Sequence, residues 1–109
     1  MMKRILSLFM VCVLWITADA QLNKEAVSAY IDDVKTYEQA IKNIVEDRQY
    51  EKGVAVLTTL IERCEMNPNY PSKELADYVS ARGQGLFRMN RFEQAVDDYK
   101  YALELLSKA

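Results

Sequence analysis

Histidine is missing from all 109 residues, which removes the commonest general base and the commonest zinc ligand together. Glycine occurs only three times, as Gly53, Gly83 and Gly85, too sparsely to build a phosphate-cradling loop. Serine and threonine have no base partner of the kind a catalytic triad needs. Runs of alternating β-branched residues bounded by turn dipeptides are absent, which argues against strands. The acidic neighbours Asp32-Asp33 and Asp97-Asp98 diverge by about 100° on a helix and cannot share one substrate atom. Glu62 and Glu65 lie three apart around Cys64 and read as a solvated helix face. No catalysis, cofactor or metal is expected.

Charge is equally uninformative about nucleic acid. The chain holds 14 basic and 16 acidic residues, with no basic patch or stripe of the kind nucleic acid requires. Its first twenty residues, MMKRILSLFMVCVLWITADA, have a basic start at Lys3 and Arg4 and an apolar stretch from Ile5 to Ile16. They close on Ala18-Asp19-Ala20, so residues 1–20 read as a secretory signal peptide cut before Gln21. The alternative is an uncleaved anchor, but this twelve-residue stretch falls short of the roughly 20 that span a bilayer. Cleavage would leave 12 basic and 15 acidic residues, a net charge of −3, and no membrane span. Of the two cysteines, Cys12 lies in the leader, so Cys64 would have no internal disulfide partner. Its place in an apolar helical pattern predicts burial.

The remainder reads as helix throughout. Val27, Tyr30, Ile31, Val34, Tyr37, Ile41, Ile44 and Val45 recur at steps of three and four. They predict a long first helix from an Asn23 cap toward Asp47. Val54, Leu57, Leu60, Ile61 and Cys64 predict a second helix from about Tyr50 to Met66. Both prolines fall in NPNYPS, residues 67–72, which should break the chain, with Ser72 capping the next helix. Leu75, Val79, Leu86 and Phe87 mark that third helix from about Lys73 to Met89. RFEQAVDDYKYALELL forms a fourth, with Phe92, Ala95, Tyr99 and Ala102 along one stripe. The alanines should admit a close helix neighbour and the rings should fill the core beside them.

Laid on one another, the second and fourth helices match at a constant offset. Tyr50 pairs with Phe92, Gly53 with Ala95, Leu57 with Tyr99 and Leu60 with Ala102, each 42 residues apart. Repeated helix pairs imply a solenoid, in which each pair buries its face on its neighbour. The segment Gly85–Leu105, GLFRMNRFEQAVDDYKYALEL, resembles the tetratricopeptide repeat (TPR), with Gly83, Phe92, Ala95, Tyr99 and Ala102 at the pattern's glycine, aromatic and small positions. Tyr37, Ala40, Ile44, Tyr50, Gly53 and Leu57 fit a weaker upstream copy. Ile41 and Leu60 are larger than that pattern expects, Arg82 stands at an apolar position, and Ser107 replaces a closing proline.

The resemblance implies an all-α fold of antiparallel helical hairpins stacked as a short TPR-like right-handed solenoid. Residues 21–33 extend the first helix, 34–67 form repeat 1, 68–75 an inter-repeat loop, and 76–109 repeat 2. It also implies a concave groove that takes a protein or peptide partner. The groove would be lined by Lys35, Glu38, Lys42, Val45 and Glu46 from the first repeat and Asp77, Ser80, Gln84, Phe87 and Arg88 from the second. The lysine and asparagine set by which some family members clamp a C-terminal carboxylate is not reproduced. With two repeats the outer face of the last helix stays open, so Val96, Leu103 and Leu106 form an expected docking edge for a second copy or another protein. The reading is thus a non-catalytic protein–protein interaction module, an adaptor, scaffold or assembly factor, in an exported setting, periplasmic or secreted. The alternative is a sensor or inhibitor that binds a small molecule or peptide between the first helix and the repeats.

Overall fold

The structure, a computed structural model, describes residues 27–109. The expected leader and the Asn23 cap lie outside the described residues. Among the described residues four helices account for the regular structure and there is no strand. Helix α1 is described over 27–45, α2 is Tyr50–Glu65, α3 is Ser72–Arg88 and α4 is Phe92–Ser107. Residues 33–109 form one compact unit. Val27, Tyr30 and Ile31, which precede it, are exposed. No helix among the described residues is long and apolar enough to cross a membrane.

The 42-residue offset reappears in the backbone. Helices α2 and α4 are both 16 residues long, and their ends correspond position for position. Each is preceded by a residue in the left-handed region, Arg48 at φ 56° and Asn90 at φ 62°. The next residues, Gln49 and Arg91, share nearly one conformation, φ −91° ψ 69° and φ −93° ψ 68°. Left-handed backbone here reverses the chain in a few residues, and it is why α1 stops short of Asp47. At the end of α3, Asn90 N–H donates to the Phe87 carbonyl at 3.0 Å and Arg91 N–H to the Leu86 carbonyl at 2.9 Å. That pair is a Schellman closure, which satisfies carbonyls the helix end would orphan.

The proline-bearing connection is shorter than the sequence suggests. It occupies residues 66–71, not 68–75, because Ser72 is already helical and Pro71 takes the capping position without a side-chain hydrogen bond. Proline's preset φ and missing N–H suit a helix start. Asn67 Oδ1 accepts from Asn69 N–H at 3.0 Å, and Tyr70 N–H donates to the Asn67 carbonyl at 3.0 Å. Asparagine, as often in turns, folds the loop on its own side chain.

Small residues set the helix crossings. A Cβ at Gly53 would lie 2.5 Å from Ile44 Cγ1 and 3.1 Å from the Ala40 carbonyl, so α2 sits directly on α1. A Cβ at Gly85 would lie 2.7 Å from Val54 and 3.1 Å from Ile44, which puts α3 against both helices of the first hairpin. A Cβ at Gly83 would meet Tyr99 at 3.1 Å and Asp98 at 3.3 Å on α4. Overpacking at such contacts typically costs about 1–3 kcal/mol. Ala95 and Ala102 are buried at 1% and 3% exposure. The core between them holds Ile44, Leu57, Leu60, Ile61, Tyr78 and Val79.

One expectation fails. Phe92 and Tyr99 are not core residues: they remain 49% and 39% exposed. The alanine stripe turns toward α3, and the rings, displaced round the helix from it, lie along its outer margin.

Candidate interaction site

Helix α1 touches α3 at two levels. The rings of Tyr37 and Tyr78 are 5.2 Å apart, and Ile44 meets the backbone at Gly85. Both pairs are 41 residues apart, so the helices run parallel and in register. The Asp77 carboxylate on α3 also reaches Tyr37, whose phenol is held above its ordinary pKa first by burial and then by this charge. Two antiparallel hairpins therefore lie side by side, with their first helices adjacent.

The ten residues expected to line a groove lie on or beside these two helices. Lys35, Glu38, Lys42 and Val45 on α1 and Glu46 in the turn after it are exposed, as are Asp77, Phe87 and Arg88 on α3, while Ser80 and Gln84 are half-buried. The strip carries three cations and three anions, so it has no net charge to select a partner by sign. Its apolar points are Val45 at 46% and Phe87 at 56% exposure. The Phe87 ring meets Phe92 edge-on at 5.2 Å, which restrains an otherwise solvated side chain. Val96, Leu103 and Leu106 project from α4 at 48%, 66% and 47% exposure, on a different face.

Two ion pairs with buried carboxylates escape a reading of the sequence. Arg82 grips Asp98 with both arms, Nε to Oδ2 at 2.8 Å and Nη2 to Oδ1 at 2.7 Å. The carboxylate is almost wholly buried. Bidentate charge-assisted bonds of this kind are among the strongest in proteins. The hydrogen bonds to Asp98 are the main cause that raises the guanidinium pKa. This accounts for an arginine where the sequence resemblance expects an apolar residue: its partner is a buried acid. Arg63 of α2 makes the second pair, with Asp33 of α1. Asp33 also accepts from Tyr70 Oη at 3.3 Å, and Tyr70 Oη lies 2.8 Å from Tyr78 Oη. The proline-bearing loop is thereby tied to α1 and α3.

A signal for both pairs was present. Asp33 is in phase with Tyr37, Ala40 and Ile44, and Asp98 with Ala95, Ala102 and Leu105. An acid on the stripe of a buried helix face has to find a cation or carry a large desolvation penalty. Asn43, on the same helix as Asp33, is buried as well: its Oδ1 accepts from Gln39 at 3.1 Å, while its Nδ2 has no hydrogen bond.

Cys64 is buried and unpaired, and burial holds its thiol pKa above the ordinary value. It therefore stays protonated at neutral pH and is a poor nucleophile. Burial also raises the Tyr70 pKa strongly, with its bond to Tyr78 adding to the effect. The largest open cleft among those described, about 810 Å³, lies between the two hairpin turns beside Arg48, Lys52, Met89 and Arg91. A smaller one of about 360 Å³ separates α2 from α4 over Arg82.

Comparison with known proteins finds no matching family model, no matching curated protein and no matching solved structure.

Proposed function

We propose that this chain is a TPR-like, non-catalytic protein–protein interaction module, an adaptor or assembly factor working outside the cytoplasm. The observation that supports this reading is the parallel, in-register contact of α1 and α3 at Tyr37–Tyr78 and Ile44–Gly85. It sets equivalent outward positions of two repeats side by side, which suits a partner segment laid across both helices. Val45 and Phe87 are its apolar anchors. Arg88, exposed and without an ion pair among the described residues, supplies the strongest polar contact. The extracytoplasmic setting rests on the leader-like residues 1–20 alone.

The test compares capture from the native envelope or secreted fraction by the wild-type chain with capture by Phe87→Ala and Arg88→Glu. Both sites are exposed, so the far-ultraviolet helical signal should stay unchanged. Truncating an aromatic anchor commonly costs more than about 1–2 kcal/mol of binding, a drop of about tenfold or more in recovery. Recovery of the same partner at undiminished yield by both variants would reject the groove.

A further inference from the structure

The seam on α4 has a counterpart in the chain that is already covered. Phe92, Val96, Tyr99, Leu103 and Leu106 alternate steps of four and three, the spacing of a helix-packing seam. Shifted by 42 residues they become Tyr50, Val54, Leu57, Ile61 and Cys64 on α2. There Leu57, Ile61 and Cys64 are 0–2% exposed and Tyr50 and Val54 half-buried. On α4 every equivalent side chain is 39–66% exposed. Helix α3 packs against α2 and meets this seam at Val54. Its Gly85 admits Val54, and its Arg82 lies within the field of Glu62 and Glu65. Among the described residues nothing plays this part for α4.

The geometry points to an occupant of the α4 seam: a partner protein's amphipathic helix built like α3, with a small residue opposite Val96 and a basic residue three positions before it. Val96 stands where Val54 meets Gly85. Glu104 stands where Glu62 lies within the field of Arg82, and Glu93 and Asp97 add negative charge on the same margin of the seam, which Lys100 offsets in part. A basic helix therefore matches the rim as well as the apolar strip. A second copy of the chain matches less well. Two α4 seams face to face would bring no small residue opposite Val96, since the exposed strip is Phe92, Val96, Tyr99, Leu103 and Leu106 on both copies. This occupant follows from the repeat geometry alone and uses a face other than the proposed groove.

The probe is this chain's own α3 sequence, a labelled, side-chain-stapled peptide of residues 72–88, added in trans to the full chain. Fluorescence anisotropy should show saturable binding. Leu103→Glu, at the most exposed point of the seam, should weaken it by about tenfold or more. Glu104→Lys should weaken it less, and Arg88→Glu in the full chain should leave it unchanged, which separates this seam from the groove. A second measurement repeats residues 66–89 directly after Ser107. The melting temperature should rise, and Leu103→Glu should cancel the rise. Peptide binding that is absent or indifferent to Leu103→Glu, or a fusion with an unchanged melting temperature, overturns the proposal. So does concentration-dependent self-association abolished by Leu103→Glu, since the occupant would then be a second copy.

Discussion

Replacing Arg82 by methionine removes two charge-assisted hydrogen bonds from Asp98 and leaves its carboxylate in a site where the side chain is only 9% exposed. Methionine keeps much of the arginine stem's volume, so the loss is electrostatic more than steric. An uncompensated buried charge costs about 3–5 kcal/mol, a large share of the roughly 5–15 kcal/mol that holds a typical domain folded. The reverse change, Asp98→Ala, should cost less, about 1–2 kcal/mol. Arg82 is 20% exposed, and its flexible stem can carry the charge toward water or toward Glu62 and Glu65. Arg82→Met combined with Asp98→Ala should cost less than Arg82→Met alone, because no charge is left stranded. Urea unfolding followed by circular dichroism measures all four corners of this cycle. With a slope near ~1–1.5 kcal/mol/M for a chain of this size, Arg82→Met should lower the midpoint by roughly 2–5 M. Should it prove too unstable to measure, Arg82→Lys keeps the charge, loses the bidentate fork and should cost about 1–2 kcal/mol. A cost for Arg82→Met no greater than that of Asp98→Ala, or single effects that simply add in the double variant, would refute the stranded-charge account.

Two more tests address the turns and the buried hydroxyl and thiol groups. Arg48 and Asn90 occupy equivalent left-handed positions, where an ordinary side chain carries a penalty of about 1–2 kcal/mol that asparagine partly escapes. Arg48→Gly should therefore stabilise by about 0.5–1 kcal/mol after the extra entropy of the unfolded glycine, and Asn90→Gly by less. Equal effects in chemical unfolding would rule this out. Cys64, Tyr37, Tyr70 and Tyr101 all have raised pKa values, with burial the first cause in each, and Tyr101 is pushed up to about 12. The fold favours their neutral forms, so their stabilisation is complete below the ordinary values of 9.0 and 10.0 and is lost as pH rises through the shifted ones. Melting temperature should hold level to about pH 8–9 and fall beyond. A profile flat to about pH 11 would contradict this.

Helix identity was legible in the sequence because amphipathic spacing is a local property. The stripes through Leu57, Ile61 and Cys64 and through Ala95 and Ala102 specify helices with one buried face each, whatever packs against them. The same locality made the 42-residue repeat visible, since matching turns and matching small residues recur with it. The division of apolar residues between core and surface was not local. Phe92 and Tyr99 look like core residues by spacing, and their counterparts Tyr50 and Leu57 are sheltered. What differs is that α3 lies against α2 and, among the described residues, no equivalent helix lies against α4. Only the tertiary arrangement could decide that, because burial depends on a neighbour supplied by another part of the chain. Ion-pair partners obeyed the same rule. The phase of Asp33 and Asp98 marked them for burial, but Arg63 and Arg82 were selected across helix crossings. Coulomb energy and desolvation depend on distance in space, and sequence separation carries no trace of it.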